Sequence, residues 1–439
     1  MVHYLLFSLA AILFLFFLYA TLESIREKEQ RAACRFMIAG VVLFLVFAGA
    51  GGWPDTSWWL WAFPVGVVLV AGVFFVPQPG KREHVMPQGR IDERDTMFSR
   101  NILEPGSKAY AVYYARYPER RFGDDTLRRN PGLLSEAARY FDPFIFPAAA
   151  ANFELIEKNR YFVTGPVAPV AQKWDSRELS EHLKNLVLKY GAVSAGITAL
   201  EGYHLYSHRG RKHNYGEPVD NRHAYALALT VEMDHDFINH APYARAVLES
   251  SRQYVRSGML ALWIARFLRD LGYPARAHID GEYEVVCPLV ARDAGLGEIG
   301  RMGLLMTPEL GPRVRIAVVT TSAPLEPDRR DEQPSVIDFC KHCKKCAIVC
   351  PSHAISLNDR REINGVLRWQ INQQACFAYW TRTGTDCGRC VSVCPYSHPR
   401  TSLHNVVRHG IRCSSAFRKV ALWMDDFAYG RKPKPRRGS

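Results

Sequence analysis

Apolar positions are unevenly spread along the chain. Three runs, Tyr4 to Leu22, Phe36 to Trp53 and Trp58 to Val76, contain no Asp, Glu, Lys or Arg. Roughly 18–20 such residues are enough for a helix to cross about 30 Å of hydrocarbon. In hydrocarbon each run can satisfy its own backbone only as a helix, so the pattern predicts three transmembrane helices. A cleavable signal peptide fits the first run poorly, because no basic stretch precedes it and no short apolar core leads to a small-residue cleavage site. No twin-arginine pair precedes any of the runs. From Pro77 to about Asn130 the chain is rich in Pro, Gly and charge and reads as an irregular connector. Between Trp174 and Pro324 helical periodicity alternates with short β-rich runs such as Arg315 to Thr321, the pattern of an α/β or α+β body. No repeat is evident apart from two paired groups of cysteines.

Composition sharpens this picture. With 439 residues, 48% of them hydrophobic, the chain is long enough for several units and is neither disordered nor collagen-like. Basic residues flank the apolar runs asymmetrically: Arg26, Lys28, Arg31 and Arg35 occupy the first loop, the second around Pro54 has none, and Lys81, Arg82, Arg90 and Arg94 follow the third run. Lys and Arg near membrane ends stay cytoplasmic, so three crossings place Met1 outside and the catalytic body inside, in an inner membrane. Glu23, Glu27 and Glu29 weaken the asymmetry of the first loop. Trp53, Trp58, Trp59 and Trp61 gather where an outer aromatic belt would lie. The tail Arg431 to Arg437 packs five bases into seven residues and reads as a solvated end or as an anionic-lipid contact. The net charge is +13, but no basic run interleaved with aromatics forms an RNA surface, so no nucleic-acid partner is expected.

Eight of the 11 cysteines lie between Cys340 and Cys394, which points to metal rather than disulfides. Cys340, Cys343, Cys346, Cys350 and Pro351 form the C-x2-C-x2-C-x3-C-P run of bacterial ferredoxins, and Cys376, Cys387, Cys390, Cys394 and Pro395 repeat its second half. In that grammar three close thiolates hold one cubane and the fourth reaches the other. Cys340, Cys343, Cys346 and Cys394 are thereby assigned to one [4Fe-4S] cluster, and Cys376, Cys387, Cys390 and Cys350 to a second. Zinc ribbons also use C-x2-C pairs, but not this doubled pattern. Neither pair is followed by His, which excludes covalent c-type haem. Cys34, Cys287 and Cys413 read as bystanders. Two clusters pass single electrons to a reaction centre upstream of Cys340. There Gly295, Gly297 and Gly300 satisfy G-x-G-x-x-G, but Gly303, Pro308, Gly311 and Pro312 break any Rossmann helix. The glycines instead suggest a loop that lets backbone approach another large cofactor.

Several stretches in order carry a family resemblance: Val231-Glu232-Met233-Asp234 with Ala241-Pro242, Arg266 to Tyr273, Ala294-Gly295-Leu296-Gly297-Glu298 with Gly300-Arg301, Gly311 to Arg315, and the cysteine groups. Together they resemble the reductive dehalogenases over roughly Trp174 to Pro399. The resemblance implies a nitroreductase-like α/β core holding a base-off corrinoid (a cobalamin) beside a ferredoxin domain with two [4Fe-4S] clusters. In that family reduced cobalt removes halide from an organohalide and a tyrosine supplies the proton. Carried over by residue, the resemblance makes Tyr254 the proton donor and Arg313 the guanidinium that eases donation. Tyr206, His208, Gly295, Gly297, Glu298 and Gly300 would line the corrinoid pocket. Asp280 departs from the Asn of many respiratory dehalogenases. The segment Tyr273 to Asp280 looks instead like the related epoxyqueuosine reductases, whose acid is an aspartate. An ionised Asp280 would oppose a departing halide, so it should be protonated, paired with Arg276 or Arg313, or itself the acid.

The expected layout is a membrane anchor over 1–80, a connector and the N-terminal part of the soluble body over 81–173, the corrinoid-binding core over 174–330, the ferredoxin domain over 331–400 and a basic extension over 401–439. The expected activity is reductive dehalogenation, fed by a membrane-associated or soluble electron donor, with the fused anchor making a separate anchor subunit unnecessary. Two other readings stand beside it: a corrinoid reductase of a carbon-oxygen bond using Asp280, and a membrane ferredoxin-like electron carrier.

Overall fold

The computed structural model describes residues 2–51, 87, 89–330 and 332–436. The chain forms two compact units. The first takes Met1–Arg82, Pro334–Lys345 and His398–Lys434; the second takes Glu83–Gln333, Cys346–Ser397 and Pro435–Ser439.

In the first unit, helices Val2–Arg26 and Gln30–Gly51 fold back on each other through a turn in which Lys28 adopts a positive φ of 60°. Gly40 permits their close approach, since a Cβ there would stand 2.7 Å from the Phe17 Cβ. Ile12, Leu15, Leu45 and Val46 point outward and are exposed. Among the described residues two helices, not three, are long and apolar enough to cross a membrane, over Phe7–Arg26 and Gln30–Gly49. The third predicted run, Trp58 to Val76, lies outside the described residues. Three further helices belong to this unit: Pro334–Cys343, which carries Cys340 and Cys343, then Ser402–Cys413 and Ser415–Ala428. Ala428 packs with Ala20, Ala32 and Phe36 of the hairpin.

The second unit is built on a sheet of β1 (Ser194–Ala199), β2 (Tyr225–Glu232), β3 (Ala275–His278) and β6 (Val314–Thr321), in the order β1-β2-β6-β3. A short hairpin supplies β4 (Glu298–Ile299) and β5 (Leu305–Met306). Every pairing in the main sheet is antiparallel, so the body is α+β rather than the expected α/β. β2 shows the period-two rule: Leu227, Leu229 and Val231 face one core with the helices Ser176–Lys189 and Ala244–Asp270, while Ala226 and Ala228 face another with the helix Cys287–Asp293. Covered on both faces, β2 reads in sequence as an apolar run from Tyr225 to Val231 that only Thr230 interrupts.

The stretch expected to be an irregular connector contains helices Met97–Asn101, Lys108–Arg116 and Pro118–Arg128. Its charges are paired: Arg100 meets Asp124 at 2.6 Å, and the Tyr114 hydroxyl donates to Asp124 at 2.8 Å. Such pairing lets a charge-rich segment bury itself.

Candidate active site

Elements of the second unit converge on one cavity of about 310 Å³. The 27-residue helix Ala244–Asp270 contributes Ser250 and Tyr254, four positions apart and so on one face. β6 contributes Arg315, paired in register with Val231 of β2. Alternation along β6 sends Arg315, with Ala317 and Val319, toward the long helix. The Arg315 guanidinium carbon lies 4.7 Å from the Tyr254 ring centroid. Arg315 also donates to Asp386 at 3.0 Å and to the Ser250 hydroxyl, which itself donates to Asp386. The loop between β4 and β5 adds Met302 and Leu304, and Tyr206, Tyr283 and Cys287 close another side.

The electrostatics of these groups follow from burial. The Arg315 guanidinium pulls the Tyr254 phenol down, but burial and the carboxyls of Asp280 and Asp386 outweigh it, leaving the pKa above the ordinary tyrosine value. Burial raises Asp280 toward its neutral acid, against the opposing pull of Arg211 and Arg315. Asp386 is likewise raised by burial, with Arg315 opposing.

Cys350, Cys376, Cys387 and Cys390 line the same cavity. Burial and neighbouring thiols push Cys376 up to about 11 and Cys390 up to about 12. Four thiols side by side on one wall are the donor set that an iron-sulfur centre takes, as thiolates. Arg315 Nε is buried with no hydrogen-bond partner among the described residues, a donor left for something held in the cavity.

Residues 339–398 match the family described as a 4Fe-4S dicluster domain. Over 222 residues the chain is 37% identical to a tetrachloroethene reductive dehalogenase of Sulfurospirillum multivorans, a match covering 49% of this chain and 44% of that protein. Over about half its length the chain is similar to reductive dehalogenases. It spans less than half the length of that relative. The structure of a catabolic reductive dehalogenase, NpRdhA, superposes with a TM-score of 0.65 at 23% identity, over 82% of this chain and 49% of that one, which shows a shared fold. An epoxyqueuosine reductase of Staphylococcus aureus is 30% identical over 121 residues, 24% of this chain and 28% of that protein.

Several sequence-predicted residues fall together and others do not. Tyr254, Tyr206 and four of the eight cysteines line the cavity. Arg313 does not attend Tyr254. It is buried and donates to Glu232 at 2.8 Å, to the Met233 carbonyl and to the Ser397 carbonyl at 2.7 Å, and Arg315 occupies the place expected for it. Arg276 binds Glu282 and Glu284 instead of Asp280. His208 is not among the cavity-lining residues and bonds to the Ser207 hydroxyl at 3.1 Å. The glycine loop serves its own chain. A Cβ on Gly297 would stand 2.2 Å from the Met306 carbonyl oxygen, and Glu298 accepts from the Ile299 amide at 2.8 Å. Gly295, Gly297, Glu298 and Gly300 are absent from the cavity lining, whereas the far end of the same hairpin, Met302 to Leu305, reaches it. Arg315, though part of the resembling stretch Gly311 to Arg315, was given no role in the sequence reading, and Asp386 escaped it. The one available signal was that Asp386 immediately precedes the cluster cysteine Cys387.

Proposed function

We propose that this chain is a membrane-held reductive dehalogenase dependent on a corrinoid and two [4Fe-4S] clusters, catalysing R-X + 2 e⁻ + H⁺ → R-H + X⁻ on an organohalide. The observation that carries the reading is the Tyr254 phenol, lying against the Arg315 guanidinium, in one cavity with four clustered thiols. Cys350, Cys376, Cys387 and Cys390 would hold the cluster at the cavity, and Cys340, Cys343, Cys346 and Cys394 the other, in the ferredoxin order. The mixed walls of Tyr206, Tyr283, Met302, Leu304 and Leu305 would hold the corrinoid, which when bound supplies the electron pair to the substrate.

The chain's own side chains manage the proton and the departing anion. Tyr254 stays protonated at neutral pH because burial favours the phenol, and it delivers the proton to the substrate carbon. Arg315 stabilises the phenolate left behind and offers a cation to the leaving halide. Ser250 and Asp386 fix that guanidinium in place. Asp280, shifted toward its neutral form, adds less negative charge to the anion's exit than an ordinary carboxylate would. The apolar hairpin belongs, in this reading, to a multi-pass anchor with the catalytic portion cytoplasmic, on the argument from flanking bases.

A second reading, reduction of a carbon-oxygen bond with Asp280 as the acid, draws support from the burial that raises Asp280 above the ordinary carboxylate value. Anaerobic turnover of two variants separates them. Under dehalogenation Tyr254→Phe loses at least about 10²-fold in rate while Asp280→Asn stays active, and the reverse pattern establishes the carbon-oxygen chemistry. Cobalt near one and iron near eight per chain are expected on purification, and iron without cobalt would leave only electron transfer.

A further inference from the structure

Glu27, His398 and His404 of the first unit bring ligand atoms within 4.8 Å of one another, an arrangement that invites a metal. The ring geometry argues against one. The two imidazoles stack at 4.6 Å and 7°, so their in-plane lone pairs run in parallel planes, whereas an ion about 2.0–2.1 Å from both nitrogens would have to lie in each plane. Both rings are also engaged: His404 Nε2 meets Glu27 at 2.8 Å and His398 Nε2 meets Asp425 at 2.9 Å. Tyr429 packs on His398 at 4.2 Å, and Lys345 bonds Asp425 and, at 2.9 Å, Asp426. The cluster is a clamp. It ties the end of the Ser415–Ala428 helix to Glu27, in the turn of the apolar hairpin.

Other contacts fix the same level. Ala428 packs against Ala20, Ala32 and Phe36. Arg35 donates to the Phe427 carbonyl and lies 5.5 Å from its ring centroid. Ala32, Arg35 and Phe36 stand two, five and six residues past the start of the helix Gln30–Gly51, which is about 3–9 Å along it. The Ser415–Ala428 helix is therefore held where the hairpin would enter a bilayer. Its outward stripe runs Lys419, Trp423, Phe427, with a spacing of four residues. Trp423 is 66% exposed and Phe427 38%, their rings stacked at 5.9 Å. Lys432 and Lys434 beyond the helix, and Arg26, Lys28 and Arg31 at the hairpin turn, are exposed bases. An exposed aromatic pair on a unit that also exposes these bases, with its last ring packed against Arg35 of the anchor hairpin, has the composition of an interfacial contact.

We infer that the Trp423 and Phe427 face of the Ser415–Ala428 helix lies in the headgroup layer of an anionic lipid membrane, parallel to its surface. The proposal rests on the hairpin crossing that membrane and not on the reaction assigned to the second unit. Apolar faces of such helices settle about 5–10 Å into the headgroup and acyl boundary, so the contact is shallow.

The test uses the full chain in vesicles of phosphatidylcholine and phosphatidylglycerol, with flotation to report insertion. Tryptophan fluorescence is quenched by lipids carrying a nitroxide either near the glycerol or near the chain end, and subtracting the Trp423→Phe chain isolates Trp423. The expected result is quenching of Trp423 about twofold stronger from the shallow nitroxide, given that depth. Reversing charge with Lys419→Glu, Lys432→Glu and Lys434→Glu together should reduce the shallow quenching in phosphatidylglycerol vesicles. A floating chain whose Trp423 is quenched by aqueous acrylamide and by neither nitroxide overturns the proposal. So does a floating chain whose Trp423 is shielded from all three quenchers, which would mean a second protein surface covers it. A chain that fails to float overturns the anchor and this proposal together, leaving the activity reading intact.

Discussion

Arg313 and Arg315 stand two residues apart and do different work. Arg313 fills buried acceptors on Glu232, Met233 and Ser397, so Arg313→Ala is expected to cost roughly 3 kcal/mol of stability, read by denaturant unfolding. Arg315→Gln should instead cut turnover by about 10²-fold, because it removes the cation beside the phenol. It should also move the alkaline limb of the pH-rate profile upward, since Arg315 is the group that lowers the Tyr254 pKa. An alkaline limb that stays put would count against Tyr254 as the acid. Asp280 gives a stability test. Below the unfolded pKa of about 3.9 both states hold its proton; above it the unfolded chain releases first, so the native state loses stability as pH rises toward the raised folded value. Asp280→Asn should therefore gain stability relative to the parent as pH climbs from about 3 to 7, measured by thermal unfolding at each pH. The dicluster domain was legible because cubane ligation dictates the spacing of its cysteines. The choice between Arg313 and Arg315 was not, because Gly311-Pro312-Arg313-Val314-Arg315 offers both and only the strand starting at Val314 decides which reaches Tyr254.

Among the elements, the β-rich run Arg315 to Thr321 falls within β6, but the pattern left strand direction open. Short apolar runs separated by helices suit parallel crossovers and antiparallel returns alike, and here the returns were antiparallel. The connector reading failed over 93–128 because composition counts charges without seeing that Arg100 and Asp124 neutralise each other. The glycine loop was correctly denied a Rossmann helix, yet its backbone approach is to β5 and not to a cofactor. Gly297→Ala should accordingly destabilise the fold by about 1–3 kcal/mol, because its Cβ would collide with the Met306 carbonyl at 2.2 Å. Iron content of the surviving folded protein should be unchanged. A loss of bound cofactor without loss of stability would restore the cofactor-contact view.

For the whole molecule, the ferredoxin pattern predicts that the two clusters are separable. Cys376→Ser should lower iron from about eight to about four per chain while sparing the other cubane, checked by iron analysis and electron paramagnetic resonance. Such a chain should lose turnover, because the thiols lining the cavity would no longer hold the centre nearest Tyr254. The strand order has a further consequence, for synthesis on the ribosome. β6 lies between β2 and β3, and Tyr225 pairs with Thr321, so the sheet stays open until the nascent chain has passed residue 321. Cys340 is the first cluster ligand to follow. The last residue the sheet needs is therefore made before the iron-binding thiols, although long-range pairing of this kind is slow. Chains stalled before Thr321 would present the apolar strand β2 with no β6 on its second edge, which makes that interval the one in which this protein most needs a chaperone.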